Sequence, residues 1–281
     1  MIGSCEPHDT VGVVGERTRI VAPAPLEEPI AALSPRLRCE PKLVIGSVGP
    51  LPLDAGLAAL SIQADLPVPV KLAMAPHGVD LVAEIPRGGG DPLRGETVAL
   101  AALDTAWRWL AHRGGGAPCA PSAVTVDAAW WADSMKRIGW TAEPLQGDDE
   151  WIHVRHPAVS WRLLARPLGA RTLQLTAGPV GVRRAGARAA RAMMLLALEA
   201  NARLRLARVS VRRHDDSVAE ASWDVVLAAP DEPEEWLDAA VEALVIARGE
   251  TERALRALAA EAVHDAYLRA RDHDARNGGG P

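Results

Sequence analysis

The sequence predicts an α+β fold of helices and antiparallel sheets, on three observations. Short segments with apolar residues at every second position, such as "SWRLLAR", lie between turn residues and predict strands covered on one side. Longer segments carry apolar residues at helical spacing and predict amphipathic helices. The chain has 281 residues, 48% of them hydrophobic, which is enough for one large core or two ordinary ones.

The second half of the chain gives the clearest order of elements. A helix is predicted within Thr125–Trp140, where Gly139 stops it. Strands follow in "EWIHVRH", "SWRLLAR" and "RTLQLTAG", and an amphipathic helix spans Arg183–Leu204. A hairpin across "HDDS" and a helix from Asp231 to about Arg248 complete the order α-β-β-β-α-β-β-α.

A helical extension is predicted after this unit. Gly249 is expected to break the preceding helix, and Thr251–Asp272 continues with helical spacing. The final residues, "NGGGP", are expected to form a frayed tail.

The first half of the chain repeats part of the same order. The stretches "TRIVAPAP", "RLRCEP" and "LVIGSVG" can supply strands, and a helix, a hairpin over "HG" and a closing helix follow. Asn201 lies 138 positions after Gln63, and Leu204 lies 138 positions after Leu66, at matching points of the two halves. The sequence therefore predicts two tandem α-βββ-α-ββ-α units with antiparallel sheets, the first without its opening helix. The predicted boundaries are 1–113 for a degenerate first unit, 114–124 for a Gly/Pro linker, 125–249 for the second unit and 250–281 for the helical extension and a disordered tail.

Charge and composition argue against several classes of protein. The net charge of −5 and the pI of about 5.9 give no general attraction to nucleic acid. No apolar run reaches the length of about eighteen residues that membrane insertion needs, and the first residues do not have the pattern of a signal peptide, so a cytoplasmic location is expected. The cysteines Cys5, Cys39 and Cys119 are too far apart to suggest a zinc site, and their odd number argues against a disulfide framework.

The usual signatures of chemistry are weak in this sequence. His153 and His156 are three residues apart on a predicted strand, so they point to opposite faces and do not converge on a metal. We predict no catalytic residue, metal or cofactor. The alternative is a small-molecule or anion-binding protein or enzyme, because in "GPVGVRRAGARAAR" glycines with Arg183 and Arg184 precede a helix and could hold an anion. We favour the simpler interpretation, in which Gly178 and Gly181 make a turn and the arginines are solvated.

Tryptophan is the remaining signal, with nine Trp and no Phe. Trp130 and Trp131 are adjacent on a predicted helix, and Trp107 and Trp109 are separated by about 200° of helix rotation. At least one residue of each pair is therefore expected to be partly exposed, and all four are candidate partner-binding residues. The alternative is that Trp fills the core in place of Phe.

The order of elements also resembles a known family. The helix end "LALEANARLRL" (Leu196–Leu206), the hairpin Val209–Leu227 and the acidic helix start Asp231–Trp236 resemble the type III secretion chaperone-like fold, and YbjN-type domains most closely. The resemblance covers 127–248, and more weakly 18–112.

This resemblance implies a non-enzymatic chaperone- or adaptor-like module that binds a protein partner through a sheet face or an apolar groove. Because secretion chaperones of this fold are typically homodimers, it also implies either a homo-oligomer or a pseudo-dimer formed by the two halves of one chain.

Overall fold

A computed structural model describes residues 35–87, 92–113, 128–145, 148–169, 172–183, 186–213, 218–228 and 233–276. In these ranges the chain is mixed α+β, with six α-helices, one short 3₁₀ turn and two antiparallel sheets. The first half contains β1 (Arg36–Cys39), β2 (Leu43–Leu51), α1 (Leu53–Leu60), the 3₁₀ turn (Gln63–Asp65), β3 (Val70–Ala75), β4 (Gly78–Pro86) and α2 (Pro92–Arg113). The second half contains α3 (Ala128–Arg137), β5 (Thr141–Leu145), β6 (Asp148–Arg155), β7 (Leu163–Gly169), β8 (Thr172–Arg183), α4 (Ala187–Arg203), β9 (Arg208–Arg213), β10 (Val218–Ala228), α5 (Pro233–Ala257) and α6 (Glu261–Arg276).

The first sheet has the strand order β1-β2-β4-β3, and α1 and α2 cover one of its faces. In β4 the buried residues Val79, Leu81 and Ala83 alternate with side chains on the opposite face, as a sheet covered by helices requires. Helix α1 lies so close to β4 that a Cβ atom at Gly56 would be 2.4 Å from Val79 Cγ2. Glycine at this position therefore sets the distance between helix and sheet.

The second sheet has the strand order β5-β6-β7-β8-β10-β9, and α5 packs on β10 and β8. Ala219, Ala221, Trp223, Val225 and Leu227 share the buried face of β10, as their alternation predicts. The Trp223 Nε1–H donates a hydrogen bond of 2.7 Å to Thr251 Oγ1 on α5, which fixes the helix over the sheet.

Two details of the predicted second unit are wrong. The structure adds a strand, β5, before the three predicted ones, so its order is α-β-β-β-β-α-β-β-α. Gly249 does not break α5, which continues to Ala257. A glycine inside a helix costs only about 1 kcal/mol, and the buried residues on either side of it, Ala247 and Thr251, keep the helix on the sheet.

Other predictions have mixed outcomes. Gly139 ends α3 as expected, with φ at +80°, a conformation that favours glycine. The predicted linker 114–124, the strand "TRIVAPAP", the tail "NGGGP" and any opening helix in 1–34 lie outside the described residues.

Helix α6 folds back onto α4 of its own chain. The Tyr267 hydroxyl donates a hydrogen bond of 2.8 Å to Glu199, and Arg188 on α4 forms an ion pair of 2.8 Å with Asp265 on α6. Burial raises the pKa of Tyr267 above its ordinary value, so this hydroxyl remains a donor. The predicted extension is therefore docked within this chain.

The two halves meet where α4 of the second half packs on β3 of the first half. There, β3 and β9, the edge strands of the two described sheets, are linked through side-chain amides. Two buried side-chain amides, Gln63 and Asn201, lie between these strands, each 1% exposed. Gln63 accepts a hydrogen bond from Leu72 N–H of its own half and donates one of 3.0 Å to Val209 C=O of the other half. Asn201 accepts a hydrogen bond of 2.7 Å from Val209 N–H of its own half and donates one of 2.9 Å to Leu72 C=O of the other half.

These four hydrogen bonds, here called the amide bridge, satisfy strand groups that would otherwise be buried without partners. An unpaired buried backbone group costs about 1–3 kcal/mol, so each amide holds both its own strand and the facing one. The matching positions of Gln63 and Asn201 in the sequence correspond to matching roles in the structure.

We expect Asn201→Ala to lower the free energy of unfolding by about 2–4 kcal/mol, because it leaves Val209 N–H and Leu72 C=O without a partner. Chemical denaturation measures this loss. In a double-mutant cycle, Gln63→Ala should couple to Asn201→Ala by about 0.5–3 kcal/mol, since both amides serve the same two residues. Thr105→Ala, at an exposed site on α2, is the control and should change stability little. Additive effects of the two amide variants would contradict the bridge.

Candidate functional site

Two pairs of buried opposite charges lie next to the amide bridge, and the first joins Lys71 to Glu84. Lys71 Nζ is 2.9 Å from Glu84 Oε2, and both side chains are about 5% exposed or less. Lys71 also donates a hydrogen bond to Leu204 C=O, and Glu84 accepts one from Leu206 N–H, both in the other half. Burial lowers the pKa of Lys71. This pair therefore ties the first sheet to the end of α4.

The second half has a corresponding pair. Arg208 lies 2.5 Å from Asp224, with both side chains at most 3% exposed. The Arg208 guanidinium also donates to the carbonyl oxygens of Leu66, Val68 and Val70 in the first half. These guanidinium donors bind Asp224 and backbone carbonyl oxygens of the first half. The geometry therefore assigns the pair a role in holding the two halves together.

A cleft of about 430 Å³ lies between the outer face of the first sheet and the end of α4. Its charges largely pair with each other, since Arg36 is 2.6 Å from Asp80 and Arg205 is 3.7 Å from Glu84. Burial raises the pKa of Asp80, although Arg36 opposes this effect. The cleft therefore presents neither a single sign of charge nor an apolar surface.

A more distinctive surface surrounds Trp161, on the side of the second sheet where α5 crosses it. Three adjoining depressions of about 430 to 560 Å³ share this side chain. We call this surface the Trp161 groove and define it by Trp161, Arg162, Val245, Arg248, Arg253 and Arg256. Its residues come from the segment before β7 and from the outward face of α5.

The spacing of residues along α5 explains how the groove forms. Val245, Gly249, Glu252 and Arg256 recur at intervals of three and four, so they share one face of the helix. A Cβ atom at Gly249 would meet nothing within 4 Å, so the middle of that face is open to solvent. Val245 is 43% exposed at its edge.

The floor of the groove is held by aromatic and ionic contacts. The Arg248 guanidinium lies 5.3 Å from the Trp161 ring centroid and 5.7 Å from that of Trp223, within the range of cation–π attraction. Glu252 accepts hydrogen bonds of 2.6 Å from Arg248 and 2.8 Å from Arg256, and the hydrogen bond from Arg248 lowers its pKa. These contacts fix two guanidinium groups beside the indole ring.

The four tryptophans predicted as partner-binding residues lie elsewhere. Trp131 is fully buried and Trp107 is 4% exposed, so a partner cannot reach either side chain in this conformation. Trp109 and Trp130 are only partly buried, and Trp130 packs edge-on against Trp131 with ring centroids 4.6 Å apart. The structure therefore moves Trp107 and Trp131 from the candidate surface to the core.

Trp161 is not among the predicted site residues, because its sequence pattern predicts a position inside a strand. The strand begins only at Leu163, and Trp161 lies in a bend before it, where it is free to leave the sheet. The only signal for the groove was the predicted anion segment, of which Gly178 and Gly181 line one depression. Arg184 and the side chain of Arg183 lie outside the described residues.

His156 lies at the far end of the same surface, in a depression that also contains Trp161. Its Nδ1 accepts a hydrogen bond of 3.1 Å from Ala158 N–H, and its ring meets Trp140 edge-on with centroids 4.8 Å apart. Burial lowers the pKa of His156 below its ordinary 6.5, although Asp238 opposes this effect. The folded protein thus holds the neutral ring.

The described residues contain neither a metal-binding group nor a membrane-spanning helix. In these ranges no three His, Cys, Asp or Glu side chains come together as a group able to hold a metal ion. No helix among them has the length and apolar character that crossing a membrane requires. Comparisons with protein-family models, curated proteins and solved structures found no match to the chain.

We expect Trp131→Ala to cost about 3–5 kcal/mol of unfolding free energy, as truncation of a fully buried Trp does. Trp130→Ala should cost clearly less, about 1–2 kcal/mol, because its ring is partly exposed and its truncation returns less buried apolar area to water. Chemical denaturation of the two variants checks this. Equal losses would contradict the different burial of these two neighbours.

The stability of the protein should fall as the pH falls through 6.5, the ordinary pKa of histidine, with His156 contributing to this loss. The unfolded chain takes up a proton at this residue, whereas the folded chain resists it until a lower pH. The thermal midpoint measured at pH 7.5 and 5.5 reports the effect. His156→Asn keeps an acceptor for Ala158 N–H without titrating, so it should show a smaller drop. An unchanged drop in this variant would remove His156 as a cause.

Proposed function

We propose that this protein is a non-enzymatic, chaperone- or adaptor-like module that binds a protein partner in the Trp161 groove. The proposal rests on the composition of the groove. An indole ring, fixed guanidinium groups and the exposed Val245 lie together on one open surface. Trp and Arg are the residue types most enriched among the residues that dominate protein–protein affinity.

The use of the buried charges supports a binding role over a catalytic one. Lys71, Glu84, Arg208 and Asp224 are charged side chains buried in the described chain, and buried charges are common among catalytic groups. Each of them contacts the backbone or side chains that join the two halves. Their positions are therefore explained by packing within the chain.

We further propose that the chain is a duplicated unit closed on itself as a pseudo-dimer. Gln63 and Asn201 exchange equivalent hydrogen bonds across the contact. In the same way, Lys71 donates to Leu204 C=O and Arg208 donates to Leu66 C=O. The two acceptors, Leu66 and Leu204, are at matching sequence positions. An ancestral homodimer whose two copies became joined accounts for this reciprocity.

Two predictions from the sequence stay predictions. A cytoplasmic location is one. The other is the alternative function, a pocket for an anion or small molecule at Arg183 and Arg184, since those side chains lie outside the described residues.

Photo-crosslinking tests the binding role directly. A photoreactive p-benzoylphenylalanine at position 245 in the groove should form crosslinks to one protein in cells that naturally make this chain. The same substitution at Val263 on α6 is a matched control, because the two valines are 43% and 42% exposed. Crosslinks from position 245 alone are the expected result. No protein crosslink from position 245, or the same products from both positions, would refute the groove as the binding surface.

A further inference from the structure

We propose that the Trp161 groove binds an extended acidic segment of the partner that also places an apolar side chain against Trp161. This inference rests on the proposed function and adds the chemical class of the ligand.

The charges of the groove select an acidic ligand. Its lining contains four arginines and one glutamate, in a chain whose overall net charge is −5. Glu252 is already engaged by Arg248 and Arg256, so it does little to repel an incoming carboxylate. Arg162 and Arg253 are exposed, and neither forms an ion pair within the described residues. Their guanidinium groups are therefore available for charge-assisted hydrogen bonds with carboxylates.

The apolar part of the groove favours an extended peptide in which apolar and acidic residues alternate. Trp161 is partly exposed, and it lines one depression together with Gly249 and Val245. In an extended peptide, successive side chains point to opposite sides, so every second residue can face the indole ring. Carboxylates among the remaining residues can then reach the arginines at the rim.

A short acidic peptide fits this surface better than a nucleic acid does. The net charge of −5 already includes the groove arginines, so the rest of the chain carries a net negative charge. It therefore gives no general attraction to a polyphosphate strand, whereas a short acidic peptide needs only the arginines of the groove. Single-stranded nucleic acid is nevertheless able to use Trp and Arg for stacking, and for this reason it is included as a probe.

The test measures binding of a short fluorescein-labelled peptide of alternating glutamate and leucine to the full chain by fluorescence anisotropy. Arg162→Glu and Arg253→Glu should each weaken binding about tenfold or more, since each removes a charge-assisted contact and adds repulsion. Arg269→Glu changes the charge equally at an exposed site on α6 and should leave the affinity within about twofold. Thermal midpoints of the variants confirm that each is folded.

Several outcomes would overturn the proposal. These are no binding of the acidic peptide, equal binding of a peptide with lysine in place of glutamate, an equal loss in the Arg269 variant, or tighter binding of oligothymidylate. Sedimentation that shows self-association through the groove, with no displacement by the peptide, would indicate a second copy as the occupant. Crosslinks from position 245 to a protein segment without acidic residues would overturn this inference alone and leave the proposed function standing.

Discussion

The amide bridge between β3 and β9 is the constraint on which the rest of the structure depends. Both strands lie at the edge of their described sheets, and an edge strand carries backbone groups that need partners once they are buried. Gln63 and Asn201 supply those partners from opposite sides and hold the two strands at a fixed spacing. This is an alternative to joining the strands into one continuous sheet, and it leaves room for Lys71 and Arg208 to cross between the halves.

The position of the candidate site follows from this arrangement. The contact between the halves uses the outer faces of both sheets near their edge strands, together with the buried charges there. The surface with the most distinctive chemistry therefore lies away from the contact, where the segment before β7 meets α5. There, Glu252 and the two indole rings of Trp161 and Trp223 fix Arg248 without help from the other half.

Much of the fold could be predicted from the sequence because its signals are periodic. The alternation in β10 corresponds to the buried face of that strand, and the apolar spacing of α4 corresponds to its buried side. The features that the sequence did not predict depend on contacts between residues far apart in the chain or lack a periodic pattern. Buried neighbours carry α5 through Gly249, and β5 had no clear alternation to show it. Trp161 belongs to the groove because of its contact with Arg248 on α5, which lies 87 residues further along the chain, and no local pattern reports such a contact.

Hydrogen exchange at the backbone amides of Leu72 and Val209 tests the central claim most directly. Both amides lie on edge strands and would exchange rapidly if water reached them, whereas the amide bridge buries each one against a side-chain oxygen. We predict that both exchange in the slowest class, at rates set by global unfolding of the chain. Rapid exchange at either amide, or slow exchange at one and fast exchange at the other, would contradict the account.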